Sequence, residues 1–409
     1  IINIYLITLI VIGLLVNFWK HNSYDQVWTI GEWLINYSGG FNRRGLFGSL
    51  IYEISSSTQI NPIFFIQLFS SISYILFLNL IMKCRFHFSK TFLLSPLVAL
   101  SPILGQFFMR KDIFEIVSYG LCTIIITKTN RINSFLLVNL ISIIAILNHE
   151  SYIFFAIPSI IILLFLINLK SYKKEKKITI LTKSIIFIIP SLIVGILVFH
   201  FKGNESTAIA IHNSWQKLSN ILPTNGKLLD HKPTGAISAL GKDIKYAKEL
   251  LILSTFGDYS FDKFIYTPAA WLFTIFISGQ IFVGNGNFHT SKLKANILLI
   301  QFIFISPLFF LGWDYGRWIF LWISSSIFFT TSIFNIIKDE AILLKKFERI
   351  SPLFLLRKMN GVKILLHSEL IYLFISIPAC CWTLKKFLFS TPILYPFIII
   401  SKAIREFSL

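Results

Sequence analysis

The chain has 409 residues, of which 55% are hydrophobic, 16% aromatic and only 14% charged, with a mean hydropathy of +0.72. A soluble domain carries about 25% charged residues, so the composition excludes an ordinary soluble protein. The net charge of +19 does not indicate nucleic acid as a partner, because the lysines and arginines cluster in short loops between apolar runs, as they do against anionic lipid.

The apolar surplus falls in long runs with short polar breaks, which predicts an all-α fold, a polytopic integral membrane helical bundle of about 11–12 spans with one large extracytoplasmic loop. In chain order the spans are predicted near 1–19, 61–82, 92–109, 113–127, 134–147, 152–169, 178–200, 264–284, 295–312, 318–337 and 368–384. A shorter apolar piece near 391–400 crosses or re-enters. The first run, IINIYLITLIVIGLLVNFW, lacks a small-residue cleavage site and reads as an uncleaved first span. The expected division is an N-terminal membrane bundle over 1–200, an extracytoplasmic loop over 201–263 and a C-terminal membrane bundle over 264–409. That loop holds His212, Trp215, His231 and the stretch AISALGKDIKYAKELLILS, whose near-helical apolar spacing predicts an amphipathic helix on the membrane surface or over a cavity. Cys84, Cys122, Cys380 and Cys381 show no metal-binding spacing and read as helix-packing residues.

Orientation follows from the basic residues. The loops 83–91, 128–133, 170–183, 285–294 and 338–366 carry 20 lysines and arginines, against 6 in the alternate loops 20–60, 110–112, 148–151 and 313–317. The positive-inside bias places the first set, and the N-terminus, in the cytoplasm. Every chemically pointed segment then falls on the opposite, extracytoplasmic face: GGFNRRG, RKD, NHES and WDYGRW.

In the first of these, Gly39 and Gly40 permit a tight turn, Asn42 is a candidate cap, and a short helix is expected from Gly45 to Ser57. Arg43 and Arg44 beside a helix N-terminus suit an anion. Their helical divergence of about 100° lets only one point inward; the alternative is a lipid-phosphate anchor. Arg110, Lys111 and Asp112 interrupt a nearly continuous apolar hairpin, so they are functional candidates, although a local Lys111–Glu115 pair would explain them equally. His149 is the candidate general base, with Glu150 as its orienter or as the base itself; a hydrogen-bonded structural histidine is the alternative. In WDYGRW, Asp314 and Arg317 stand three apart between Trp313 and Trp318, a constellation suited to clamping a phosphate and stacking on a sugar, or one that merely neutralises itself. No second His or Cys stands at ligand spacing, so neither a metal nor a cofactor is expected.

With its long apolar spans, arginines in outer loops and one large outer loop, the chain resembles bacterial O-antigen and capsule polymerases of the Wzy type and the related ligases. GGFNRRGL, RKD, NHES and WDYGRW also resemble segments of membrane proteins from surface-polysaccharide loci. The resemblance implies residence in the bacterial inner membrane and metal-independent glycan transfer from a polyprenyl-diphosphate-linked oligosaccharide to an acceptor sugar. Membrane lipids and other polysaccharide-assembly proteins are the implied partners. It further implies that Arg43 or Arg44, Arg110 and Arg317, with Lys111 beside them, hold the diphosphate, while His149 or Glu150 deprotonates the acceptor. The large loop lies earlier than a ligase would have it. Two rival readings stand beside this one. A GT-C type glycosyltransferase would use acidic residues of the first outer loop, where Asp25 and Glu32 lie without a DxD or ExD pattern. A transporter or flippase of a lipid-linked anion would bury charges in mid-span, next to helix breaks such as Pro158, Pro190 and Pro307.

Overall fold

The computed structural model describes residues 1–19, 26–128, 131–172, 174–222, 232–242, 261–285, 291–312, 314–337, 369–379 and 384–407, with the single positions 245, 249 and 252. Every regular element among them is helical. Asp25, His231, Trp313, Cys380, Cys381, most of the stretch 243–260 and the basic loop 338–366 lie outside the described residues. Cys84 and Cys122 are free thiols packed in the interior.

Among the described residues, four helices are long and apolar enough to cross a membrane: Pro62–Phe86, Ser151–Ser171, Ser291–Leu311 and Tyr315–Ile337. A fifth is added if the pair Lys177–Phe187 and Ile189–His200, bent by 60°, counts as one span. Pro190 explains the bend, since proline has no N–H to give to the preceding turn and its ring collides with it. Shorter apolar helices run over Ile2–Asn17, Ile132–Asn148 and Ala269–Gly284.

The expected span at 92–109 is not one helix. Short helices Lys90–Leu94 and Ser101–Leu104 flank a turn, and Ser95 is extended (φ −66°, ψ 168°). Ser95 precedes Pro96, and the residue before a proline is pushed out of the helical region by the ring. The side chains of Phe92 to Leu104 are nevertheless buried, which is why hydropathy alone mistakes the segment for a span. At 368–384 the described residues contain only the single helical turn Ile371–Phe374 before the chain becomes extended.

By spatial contact the chain forms two compact units, each assembled from separated stretches. One comprises 1–16, 77–108 and 248–409; the other comprises 17–76 and 109–247. In the first, Tyr315–Ile337 is the central helix, with 83% of its apolar window buried, packed against Ser291–Leu311 and Phe261–Gly284. In the second, the helices Asp112–Lys128 and Arg131–Asn148 form an antiparallel hairpin, against which Ile189–His200 also packs. The two arms have nearly equal length, so the hairpin returns Asn148 to the end from which Lys111 departed.

Candidate functional site

The arginine turn is built by a short polar scaffold. Asn36 Oδ1 accepts the Ser38 N–H at 3.0 Å, and Asn42 Nδ2 donates to the carbonyls of Asn36 (2.8 Å) and Gly40 (3.0 Å). Asn42 therefore ties the turn to itself rather than capping the next helix, whose N-cap position is Arg44 with no side-chain cap. That helix, Gly45–Thr58, enters beneath the turn so closely that a Cβ on Gly48 would stand 1.8 Å from the Ile35 carbonyl oxygen. Glycine is required by this approach.

Part of the segment 201–263 completes the scaffold. The helix Glu205–Gln216 is capped by Asn204, whose Oδ1 accepts the Thr207 N–H at 2.9 Å. Its inner face fastens to the turn through Trp215 Nε1 donating to Leu34 O (2.7 Å) and Asn36 Nδ2 donating to Ser214 Oγ (2.9 Å). A Cβ on Gly39 would lie 2.9 Å from Thr207 Cα. Within AISALGKDIKYAKELLILS, the described residues form the short turns Gly235–Ser238 and Ala239–Gly241, and Lys245, Glu249 and Ile252 are helical and exposed.

Arg44 has φ 68° and ψ 6°, a left-handed conformation rare for a side-chain-bearing residue. The expectation that one arginine faces inward assumed helical progression; the left-handed residue breaks it, and both arginines reach Glu150. Arg44 grips the carboxylate with two bonds, Nε to Oε2 at 2.8 Å and Nη2 to Oε1 at 2.6 Å, while Arg43 Nη1 lies 3.2 Å from Oε1. The third guanidinium nitrogen of Arg44 lies 3.3 Å from Glu32 Oε1. Arg110 Nε pairs with Glu32 Oε2 at 3.1 Å, and His149 Nε2 with Glu32 Oε1 at 3.2 Å.

Lys111 holds the layers together. Its buried ammonium donates to the carbonyls of Arg44 and Asn148, each at 3.2 Å, and lies 5.4 Å from the Trp33 ring centroid. The ammonium thus ties the arginine turn to the end of the hairpin, a task distinct from the local pairing with Glu115 considered above. On the far side of His149, the Ser151 hydroxyl oxygen is 2.8 Å from Nδ1 and 2.5 Å from Glu115 Oε2.

The cluster is graded from rim to floor. The side chains of Arg43 and Arg44 are 27% and 21% exposed and that of Glu150 10%, whereas that of Glu32 is 1% exposed. Burial alone would raise Glu150, but the adjacent guanidiniums of Arg44 and Arg43 hold it well below the usual carboxylate range. Burial pushes Lys111 down to about 7 against the opposing pull of Glu32. His149 is lowered by burial and then by Arg44, against Glu150 and Glu32.

Of the residues expected at the site, Arg43, Arg44, Arg110, Lys111, His149 and Glu150 converge in this one cluster. Glu32, Glu115 and Ser151 join them: Ser151 closes the NHES segment, Glu115 was considered only as a local partner of Lys111, and Glu32 only under the GT-C reading. Besides its place in the first outer loop, Glu32 is the single carboxylate in the aromatic-apolar run WTIGEWLI. Asp314, Arg317 and Trp318 belong to the other compact unit. There Asp314 Oδ2 pairs with Arg317 Nη1 at 2.5 Å, its carbonyl accepts the Arg317 N–H at 2.9 Å, and the guanidinium carbon lies 5.2 Å from the Trp318 ring centroid. The self-neutralising pair that the spacing allowed is formed. Comparison with family models, with curated proteins and with solved structures gave no match to this chain.

Proposed function

We propose that this chain is a membrane-embedded transferase that moves a glycan from a polyprenyl-diphosphate carrier to a hydroxyl of an acceptor sugar, extending a surface polysaccharide. The observation that carries the reading is a carboxylate, Glu150, held between two rim arginines that a diphosphate would also bind. A diphosphate offers more oxygens and more charge than a carboxylate, so it competes for the forks of Arg43 and Arg44. Once they turn to the donor, Glu150 loses the two charges that depress its pKa and becomes a stronger base. Glu150 then takes the proton of the acceptor hydroxyl, whose oxygen bonds to the anomeric carbon. The bond from that carbon to the diphosphate oxygen breaks, and the electron pair leaves with the diphosphate, whose charge the arginines stabilise. Glu32, with His149 and Arg110 around it, forms the fixed floor. In this reading the chain is a bundle of about 11–12 spans in a bacterial inner membrane, with the cluster at its extracytoplasmic face.

A second reading, transfer of a single sugar by a GT-C type enzyme, is favoured by one observation: Glu32, in the segment between the first two apolar helices, is the deepest carboxylate of the cluster facing the arginines. Purified protein in liposomes with a polyprenyl-diphosphate-linked oligosaccharide separates the possibilities. Release of polyprenyl diphosphate with a ladder of longer glycans is expected. Addition of one sugar unit supports the GT-C reading, and no transfer with movement of the intact donor across the bilayer supports a flippase and overturns the proposal.

A further inference from the structure

The bend between Lys177–Phe187 and Ile189–His200 is repaired by a side chain from another helix. In a continuous helix the Ser191 N–H would bond to the carbonyl of Phe187, four residues back. Asn139, from the hairpin helix Arg131–Asn148, stands inside that bond. Its Nδ2 donates to Phe187 O at 2.9 Å, and its Oδ1 accepts the Ser191 N–H at 3.3 Å and the Ser191 hydroxyl at 2.8 Å. One buried amide thus satisfies both backbone groups that the bend separates, which matters most in hydrocarbon, where no water replaces a lost bond. Asn139 Nδ2 also donates to Phe135 O at 2.9 Å within its own helix, which fixes the amide in place. Pro190 explains why the chain bends here; Asn139 explains how it bends by 60° and keeps these groups paired.

The leg beyond the bend, Ile189–His200, is fastened lightly where it meets the arginine turn. At its end Phe201 O accepts the Arg43 N–H at 3.1 Å, and the Phe201 ring meets Phe41 edge-on at 5.6 Å. The leg buries Ser191, Gly195 and Val198, all small, whereas Ile189, Ile193, Ile196, Leu197 and Phe199 are exposed. Lipid is as apolar as these side chains, so parting the leg from its neighbours in a bilayer carries little hydrophobic penalty.

We infer that the break at Ile188 is a hinge maintained by Asn139, and that the leg Ile189–His200 is a gate through which a lipid-linked donor passes from the bilayer to the arginine turn. This inference rests on the proposed function, in which the donor is anchored in the membrane and its diphosphate must reach Arg43 and Arg44. The end of the gate is bonded to Arg43 itself. A diphosphate that draws Arg43 away from Glu150 therefore pulls on the residue whose N–H holds the gate, so donor arrival and opening are coupled. Asn139 is a positioning residue: it keeps the hinge paired while the leg moves, and it touches neither donor nor acceptor.

Spin labels on Leu140→Cys and Ile196→Cys, both exposed positions, report the leg's distance from the hairpin in full-length protein in liposomes, with the native cysteines replaced by alanine. Ile196 stands about 11 Å along the leg from the hinge, so a swing through the 60° bend displaces it by up to about 11 Å. Adding polyprenyl diphosphate is expected to lengthen the distance by about 5 Å or more, and an unchanged distance overturns the gate. Pro190→Ala combined with Asn139→Leu restores an N–H at 190 and frees Ser191 to bond Phe187. That variant is expected to show the longer distance with no carrier present; retention of the bent distance overturns the hinge. In the transfer assay, Ile153→Cys with Gly195→Cys ties the gate shut, since a Cβ on Gly195 lies 3.1 Å from Ile153 Cδ1. Transfer is expected to stop on oxidation and return on reduction, and equal rates in both states count against the gate. A parent protein that shows the carrier-dependent distance without transfer sinks the proposed function and leaves the gate standing; transfer with an unchanged distance does the reverse.

Discussion

Glu150 is the residue on which the proposed chemistry turns, because it occupies the two arginines that a diphosphate would need. Glu150→Gln removes the competing charge while keeping the shape. The donor KM is expected to fall and kcat to fall by about 100-fold, the usual worth of a positioned base; a kcat at the parent value would remove Glu150 from the role of base. Lys111 makes a second prediction at this scale. Its folded pKa, about 7, lies below its ordinary value of 10.5, so the unfolded chain binds more protons between those limits and stability rises with pH across that window. Below the window both states are protonated and the burial penalty is felt in full. Lys111→Met is expected to flatten the pH dependence of the melting temperature above about 7, and an unchanged slope would assign it to other groups. The pairing of Arg44 with Glu150 was legible only as residue types in GGFNRRG and NHES. The left-handed backbone at Arg44, which turns both arginines onto the same carboxylate, has no sequence signature because it is not at a glycine.

At the scale of elements, the site depends on close backbone approaches beneath the turn. Gly48→Ala places a methyl against the Ile35 carbonyl and is expected to destabilise the solubilised protein by about 2 kcal/mol or more, read as a lowered melting temperature. A melting temperature equal to that of the parent would show that the helix Gly45–Thr58 can shift without cost. The hairpin was legible in advance: two apolar runs of similar length with RKD at one end and NHES at the other must bring those ends together. The segment 92–109 was not, because hydropathy counts buried apolar residues whether a helix is continuous or broken at Ser95–Pro96. The amphipathic stretch within 201–263 was read from its spacing alone. The helix Glu205–Gln216, which packs on the arginine turn, has a more polar sequence that gave no such signal.

For the whole molecule, reporter fusions test the arrangement in the membrane. Fusions after residues 130 and 175 are expected to report the cytoplasm, whereas cysteines introduced at 41 and 204 are expected to react with an impermeant reagent from outside. Labelling of position 41 only from the cytoplasmic side would remove the proposed donor site from the face where lipid-linked glycans are polymerised. Composition and the length of the apolar runs determined that the chain is helical and rich in segments able to cross a bilayer, because in hydrocarbon a helix satisfies its own backbone hydrogen bonds. Sequence also singled out the arginine pair, RKD and NHES as charges too costly to leave unpaired beside apolar spans. Tertiary structure decided what they pair with. Glu32 lies 12 residues from Arg44, and Glu150 lies 106 residues from it; such partners are set by packing across the fold, which no local period or spacing encodes. Only that packing turned three separate charged segments into one graded cluster, with arginines at its rim and a histidine between two carboxyl groups at its floor.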